Sequence, residues 1–285
     1  MPVANLPAAA ISYRITGPDD AAGPPVVFVH GFLVDSTLWD SVADRLAEAG
    51  VRSYLPDWPL GAHREPVAET ADLSPRGIAK IIVSFLEALD LRDVTLVGSD
   101  TGGAICQLLL DTDASRIGRV VLTNCDAFEN FPPPVFMPLF RAARHPRLVR
   151  IFLQPTRLRL FRHSPLAFGL LLRRPRNSAL TRRWVLPALT DRRIRHDIAR
   201  FARAVDRNEL VEVAPRLGRF TGPVRVVWGT LDRCFTVATA RRLVEAFADA
   251  ELVEVDDATT FVSVDRPDSV ADAIVDLHQR QRAVT

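Results

Sequence analysis

Short apolar runs alternate with longer amphipathic segments along most of this chain, and this alternation constrains the fold more than any other feature. Runs rich in β-branched and aromatic residues are typical of buried strands, whereas the segments between them have apolar residues at helical spacing. Strands that alternate with helices favour a parallel sheet with helices on both faces. The strand-like runs are ISYRIT, PVVFVHG, RSYLPD, VTLVGSD, RVVLTN, VRVVWG and LVEVD. The sequence therefore predicts an α/β fold.

The alternation stops between residues 130 and 215 and resumes at GPVRVVWG. This stretch opens with FPPPVFMPLF and contains 18 Arg against five acidic residues, although the whole chain has a net charge of only +2. We interpret 130–215 as an Arg-rich helical cap, inserted into a core formed by 1–129 and 216–285. Such a cap is expected over the carboxyl ends of the strands, where open α/β sheets bind their ligands.

Composition argues against several classes of partner. Pro and Leu interrupt the cap arginines and no nucleic-acid-binding motif accompanies them, so we expect no nucleic-acid partner. We interpret the arginines as solvated helix faces, with an anionic ligand or an acidic partner as the alternative. No apolar run reaches the roughly 18 residues of a membrane span, and MPVANLPAAA does not resemble a secretory signal. The sequence predicts a cytoplasmic protein with no membrane partner, and it leaves the oligomeric state open.

The cysteines and the motif content bear on cofactors. Cys106, Cys125 and Cys234 are odd in number and have no CxxC spacing, which favours reduced thiols in the core. Neither a ligand cluster nor a phosphate-binding loop is present in the sequence, so we expect no metal and no organic cofactor.

The stretch LVGSDTGG predicts a strand that turns sharply into the apolar helix GGAICQLLL. At so tight a turn the residues two before and two after the apex must be small, because larger side chains would strike the neighbouring strand or helix. Gly98 and Gly102 fulfil this condition only when Asp100 is the apex, since Ser99 would have larger residues at both positions. Asp100 is therefore the candidate nucleophile, and a glycine turn without chemical role is the alternative.

The strand, turn and helix around Asp100 resemble the nucleophile elbow of α/β-hydrolases, and the resemblance covers nearly the whole chain. His30 begins an HGF motif at the end of the first buried strand, as in that superfamily. The resemblance implies that the backbone N–H groups of Phe32 and Thr101 form an oxyanion hole, and that His30 is structural. Asp232, in WGTLDRCF, matches the acid of the family, and VDRPDSVADAI resembles its final loop and helix.

An Asp nucleophile is typical of the haloalkane dehalogenase and epoxide hydrolase branch. There the carboxylate displaces halide or opens an epoxide, and a water activated by His hydrolyses the resulting aspartyl ester. The resemblance places that His in the segment DATTF, where this chain has Thr260, and His278 comes too late. The cap tyrosines of epoxide hydrolases are missing, because Tyr13 and Tyr54 lie outside the cap, and a Thr replaces the Trp that follows the nucleophile in dehalogenases.

Two histidines could replace the missing base. His63 follows the RSYLPD strand, on a loop that runs along the rim of the active site in this superfamily. It is the better candidate, and a surface-loop histidine is the alternative. His196 lies beside Asp197 on an Arg-rich cap helix and could reach down from the cap, although a solvated helix face explains it more simply.

A further acid, Asp126, follows the strand before the cap, where some dehalogenases carry their triad acid. Asp100, Asp126 and Asp232 could then converge with no imidazole between them. Like charges at that range do not all stay ionised, so at least one of the three should be protonated near neutrality. A pair of carboxyls that shares a proton suits lyase, isomerase or cyclase chemistry. A loop or helix-capping role is the alternative for Asp126.

The sequence thus predicts an enzyme that acts on a small or medium apolar substrate through Asp100. It resembles epoxide hydrolases and haloalkane dehalogenases, but Thr260 replaces the expected His. A non-hydrolytic enzyme built on the same pocket is one alternative, and a ligand-binding protein without turnover is another. The sequence does not identify the substrate.

Overall fold

The computed structural model describes residues 1–173 and 177–282. Its centre is an eight-stranded sheet with the order β1-β2-β4-β3-β5-β6-β7-β8. Adjacent strands from β4 to β8 are parallel, whereas β2 pairs antiparallel with both β1 and β4. The strands are β1 Val3–Asn5, β2 Ala10–Thr16, β3 Val26–Val29, β4 Ser53–Pro56, β5 Val94–Asp100, β6 Ile117–Cys125, β7 Val224–Gly229 and β8 Ala250–Val255. Strands β2 to β8 are the seven runs of the sequence, and β1 is an edge strand that the sequence analysis missed.

Helices cover the sheet, and every residue of β3, β5 and β7 is buried, as expected for strands covered on both faces. Helices α1, α11 and α12 pack together, and α2 packs against α3. The helices are α1 Asp40–Glu48, α2 Pro75–Ala88, α3 Thr101–Thr112, α4 Met137–Ala143, α5 Pro146–Leu153, α6 Arg159–Arg162, α7 Ser178–Thr190, α8 Arg192–Ala204, α9 Glu209–Val213, α10 Val237–Ala246, α11 Val262–Asp265 and α12 Pro267–Arg282. The predicted α/β-hydrolase fold is confirmed.

Helix α2 illustrates how local sequence determines these elements. Ser74 caps its N-terminus, where its hydroxyl accepts a hydrogen bond from the Gly77 N–H at 3.0 Å. Pro75 occupies the first turn, where its missing N–H costs nothing. Ile78, Ile82 and Phe85 recur at helical spacing and are fully buried. Burial of one such side chain stabilises the fold by about 1.5–3 kcal/mol.

The chain between β6 and β7, here called the cap, forms helices and lies against loops at the carboxyl ends of the strands. The rings of Phe140 in α4 and Phe201 in α8 pack against the ring of Phe32, with ring centroids 4.9 and 5.5 Å away. On the other side, Arg183 of α7 forms an ion pair with the buried Asp35 at 2.6 Å. The cap therefore covers the loop that follows β3. Its limits, 130 and 215, stay a prediction.

Two further expectations concern the core and the membrane. All three cysteines, Cys106, Cys125 and Cys234, are buried free thiols. None of the helices within 1–173 and 177–282 combines the length and the apolar character that crossing a membrane requires.

Candidate active site

Asp100 ends β5 and directly precedes α3, so its carboxylate lies at the carboxyl edge of the central sheet. Its φ is 54° and its ψ is −133°, a conformation that is strained for a residue with a side chain. Ser99 lies inside β5, fully buried, and its hydroxyl has no hydrogen-bond partner. Asp100, and not Ser99, therefore occupies the apex of the turn.

The glycines around Asp100 permit close backbone contacts. A Cβ atom on Gly102 would lie 2.3 Å from the Val29 carbonyl oxygen, and one on Gly98 would lie 2.7 Å from the Cys106 sulfur. A Cβ atom on Gly31 would lie 2.2 Å from Asp100 Oδ2 itself. These positions explain physically why the sequence has glycines two residues before and two after the apex.

We expect Gly102→Ala to lower the free energy of unfolding by about 1–3 kcal/mol, because the Val29 carbonyl is backbone and must shift to admit the methyl group. Gly218→Ala is the matched control, since its Cβ would lie 3.4 Å from the Ala246 carbonyl oxygen, an ordinary contact. The control should be neutral or slightly stabilising. Urea denaturation of both variants measures the difference, and equal midpoints would contradict this account of the turn.

Backbone N–H groups approach the Asp100 carboxylate. The Phe32 N–H donates to Asp100 Oδ2 at 3.2 Å, and the Thr101 N–H also bonds to the carboxylate and lowers its pKa. The structure thus brings together the two donors that the sequence suggested for an oxyanion hole. Preorganised N–H groups in a buried site stabilise negative charge on oxygen.

His30 supports the loop that carries Phe32. Its Nε2 accepts a hydrogen bond from the Trp58 N–H at 2.8 Å, and its Nδ1 donates to the Gly31 carbonyl at 3.0 Å. The ring is fully buried, and this burial lowers the pKa of His30. A neutral imidazole with both nitrogens bonded to backbone fits the structural role expected for this residue.

Three buried carboxyl groups converge at this edge of the sheet. Burial raises the pKa of Asp100 to about 7, the N–H groups of Thr101 and Phe32 oppose that rise, and the charge of Asp232 adds to it. Burial also raises the pKa of Asp126 well above its ordinary value, and the charge of Asp100 raises it further. The Thr101 hydroxyl opposes the shift only weakly, since neither carboxyl oxygen of Asp126 has a regular hydrogen bond. Of the three carboxyls, Asp126 is therefore the one most favoured to hold a proton.

Asp232 accepts more hydrogen bonds from protein groups than either Asp100 or Asp126 does. Its Oδ1 accepts from the N–H groups of Cys234 at 2.6 Å and Phe235 at 3.1 Å. Its Oδ2 accepts from the amide of Asn124 at 2.8 Å. Burial raises the pKa of Asp232, and these donors oppose the rise. Asp232 is therefore held rigidly and is better stabilised as a carboxylate than Asp126.

Thr260 lies beside Asp232. Its side chain is fully buried, and the hydroxyl approaches Asp232 closely enough to lower the pKa of that carboxyl, although it forms no regular hydrogen bond. The adjacent residues are tied to the cap, because the Leu171 carbonyl accepts from the Thr259 hydroxyl at 2.8 Å and from the Phe261 N–H at 3.0 Å. The position that the resemblance assigns to the catalytic His thus carries a threonine next to the acid.

His63 is buried, and the partners of its two ring nitrogens are groups other than the Asp100 carboxylate. Its Nδ1 accepts from the Gly61 N–H at 3.2 Å, and its Nε2 lies 3.4 Å from Asp197 Oδ2 in α8. This geometry favours a structural role that links the loop to the cap. His196, the other candidate, is exposed, and its neighbour Asp197 points inward instead. Within the described residues, no histidine is hydrogen-bonded to the Asp100 carboxylate.

A family model for the alpha/beta hydrolase fold matches residues 24–267. The chain belongs to the α/β-hydrolase family. Among curated relatives, this hydrolase is 26% identical to haloalkane dehalogenase 2 of Mycobacterium tuberculosis, over 92% of this chain and 91% of that one. It is 32% identical to a haloalkane dehalogenase of Mycolicibacterium paratuberculosis, over 44% of this chain and 41% of that one.

Solved structures agree with this fold. A structure assigned to an ancestral haloalkane dehalogenase superposes with a TM-score of 0.79 at 18% identity, over 99% of this chain and 100% of that one. The enol-lactonase from Burkholderia xenovorans LB400 superposes with a TM-score of 0.73 at 23% identity, over 97% of this chain and 99% of that one. The predicted membership of the α/β-hydrolase superfamily is confirmed, and the two curated relatives named above are haloalkane dehalogenases.

Asn124 is a site residue of this hydrolase that the sequence analysis missed. Its amide donates to Asp232 Oδ2 and to the Gly229 carbonyl, and its carbonyl accepts from the Gly229 N–H at 2.7 Å. It thereby fixes the loop after β7 to the end of β6. The sequence feature that could have identified Asn124 is a polar residue near the end of the strand-like run RVVLTN, which is largely apolar.

We expect the raised pKa of Asp100 to make this hydrolase less stable as pH rises from about 4 to about 7. In that window the folded state keeps a proton that the unfolded state has lost, so rising pH favours unfolding. Above about pH 7 the full loss of stability from ionising the buried Asp100 is present, and below about pH 4 there is no loss. Asp100→Asn removes the titration, so the stability of the variant relative to the wild type should increase by about 2–4 kcal/mol from pH 4 to pH 8.

Chemical denaturation across this pH range measures the effect. Burial of the new amide adds a difference in stability that does not depend on pH. The experiment therefore compares how the stability difference between variant and wild type changes with pH, and not its value at one pH. A difference in stability that does not vary with pH would contradict the raised pKa of Asp100.

Proposed function

We propose that this α/β hydrolase acts on a small or medium apolar substrate through Asp100 as a nucleophile. The aspartyl ester that forms would then persist, because Thr260 stands where an imidazole would activate water. The observation that carries this proposal is the placement of Asp100 at the strained apex, with the Phe32 N–H on Oδ2. Thr260 lies beside Asp232, and no histidine of the described residues is hydrogen-bonded to the Asp100 carboxylate.

An epoxide fits this site better than a haloalkane. Carboxylate attack on an epoxide carbon breaks the C–O bond, and the released oxygen must gain a proton. Asp126 lies next to Asp100, and its raised pKa favours the protonated form, so it would donate that proton and become a carboxylate. A departing halide instead needs N–H donors. The indole groups of Trp58 and Trp228 already donate to backbone carbonyls at 2.9 Å and that of Trp184 donates to the Thr37 hydroxyl, which leaves the buried indole N–H of Trp39 as the one without a partner among the described residues.

Non-hydrolytic chemistry is the second candidate. It is favoured by one observation, namely that both carboxyl oxygens of Asp126 are buried without a regular hydrogen bond. A neutral acid beside a carboxylate whose pKa is about 7 can deliver a proton to one substrate atom while Asp100 removes one from another. A lyase, an isomerase or a cyclase would use the pair in this way, with no covalent ester.

Incubation with separate panels of 1,2-epoxides, 1-haloalkanes and aryl esters tests the proposal, with intact-protein mass and product release as the two readouts. We expect a stable adduct that adds the whole mass of an epoxide, with peptide mapping placing it on Asp100. Rapid diol release without an adduct would contradict the persistent ester. Isomerised product without an adduct would indicate the acid–base alternative. No adduct and no product would favour a ligand-binding protein without turnover.

A further inference from the structure

The cap contains a cavity that is not lined by the carboxyl cluster. It has a volume of about 390 Å³ and lies between α7, α6 and the 3-10 helix 154–157. None of Asp100, Asp126, Asp232 and Thr260 lines it. Its walls come entirely from the cap, and its described lining is Thr156, Arg157, Arg159, Arg162, Ser178, Arg182, Val185, Leu186, Leu189 and Thr190.

The described lining carries four positive charges and no carboxylate. In the described part of the chain, none of these four arginines has an ion pair with an acidic side chain, although 16 other arginines do. The charge surplus that the sequence places in the cap is therefore concentrated, in part, around one cavity. The arginines that line it are Arg157, Arg159, Arg162 and Arg182.

Arg162 is the unusual member, because it is only 2% exposed. Its Nη1 donates to the Thr156 carbonyl at 2.7 Å, its Nη2 to the Ser178 hydroxyl at 2.8 Å, and its Nε to the Thr181 hydroxyl at 3.0 Å. These acceptors satisfy the hydrogen bonds of the guanidinium, but all of them are neutral. A buried charge without a counter-charge is costly, and an anion in the adjoining cavity would offset that cost.

The neighbouring arginines increase the need for a counter-charge. Burial lowers the pKa of Arg162, and the positive charges of Arg182 and Arg159 lower it further. These two side chains are exposed and have no acidic partner among the described residues, so they can orient toward a ligand. The planar fork of a guanidinium matches two oxygens of a phosphate or carboxylate, and several such forks around one cavity favour a multiply charged oxyanion.

We propose that this cavity, here called the cap anion site, binds a phosphoryl oxyanion through Arg159, Arg162 and Arg182. The same chemistry is present in a free phosphate and in the headgroup of an anionic phospholipid. Two apolar features favour the lipid headgroup. Leu158 and Leu160 alternate with the arginines and are 68% and 88% exposed. Val185 and Leu189 form an apolar wall of the cavity. The site lies apart from Asp100, so it stands or falls independently of the proposed hydrolase chemistry.

Calorimetric titration with inorganic phosphate and co-sedimentation with vesicles test the cap anion site in the full chain. Vesicles of phosphatidylcholine with phosphatidic acid are compared with phosphatidylcholine alone, and chloride at equal ionic strength is the control for phosphate. We expect at least one phosphoryl probe to bind. Binding of phosphate identifies a free anion as the source, whereas binding only to the acidic vesicles identifies the lipid headgroup.

The double variant Arg159→Gln/Arg182→Gln should weaken that binding at least tenfold, without touching the buried Arg162. The matched control is Arg147→Gln/Arg192→Gln, which removes two exposed cap charges outside the cavity and should change binding less than twofold. Equal weakening by the two pairs, or no binding of either probe to the wild type, would overturn the proposal. Circular dichroism checks that both variants fold, and adduct formation at Asp100 should be the same in both.

Discussion

Asp100→Asn should slow the formation of the epoxide adduct by at least about 10³-fold, the scale of loss when a nucleophile is removed. The amide has nearly the shape of the carboxylate and can still accept a hydrogen bond from the Phe32 N–H. It cannot, however, supply the negatively charged oxygen that attacks carbon. Intact-protein mass against time measures the rate, with circular dichroism as the check on folding.

Ser99→Ala is the matched control for this experiment. Ser99 is the neighbouring residue of the same turn, and its buried hydroxyl has no hydrogen-bond partner. Its loss should leave adduct formation within about twofold of the wild type. If Ser99→Ala removed the reaction and Asp100→Asn did not, the assignment of the apex would be chemically wrong. If neither variant affected labelling, the reactive group would lie elsewhere.

Thr260→His should accelerate hydrolysis of the aspartyl ester by about 10²–10⁴-fold, the range typical of general-base catalysis. Asp232 is already fixed by the N–H groups of Cys234 and Phe235 and lies next to Thr260, so it can orient an imidazole there. The experiment measures loss of the adduct mass and release of diol. Because Thr260 is fully buried, the larger ring should cost about 1–3 kcal/mol of stability.

Thr260→Asn separates general-base catalysis from a mere change of size. It places a polar side chain beside Asp232 but provides no group that can accept a proton from water. Its adducts should be as long-lived as those of the wild type. Equal lifetimes in the His and Asn variants would contradict the role given to the missing imidazole. His63→Gln should not lengthen the lifetime either, since the ring of His63 is bonded to Gly61 and Asp197.

The parts of this hydrolase that the sequence predicted are those with local causes. The apex at Asp100 follows from glycine spacing, because in a turn this tight a Cβ atom two residues before or after the apex meets the following helix or the neighbouring strand β3. The strand that carries Asp100 follows from a short run of apolar residues. The edge strand β1 has only three residues and two of them are exposed, so no hydrophobic pattern marks it.

The partners of His63 and Asp232 could not be predicted, because they are set by packing between distant segments. His63 and Asp197 lie 134 residues apart, and Asn124 and Asp232 lie 108 apart. Nothing in the local sequence of a loop histidine tells whether a cap helix will present a carboxylate to it. The cap anion site is of the same kind, since the sequence gives the number of arginines but not which of them surround one cavity.

The carbonyl of Leu171 has a consequence for how this protein can evolve. It holds the two residues that flank Thr260, and the Arg173 N–H adds a bond from the cap to Asp265 at 3.0 Å. A recombinant that received the cap of another hydrolase would therefore also receive a new position for residue 260. If Asp100 acts as proposed, a change of cap would therefore alter both the space offered to the substrate and the position of residue 260, which governs the fate of the ester.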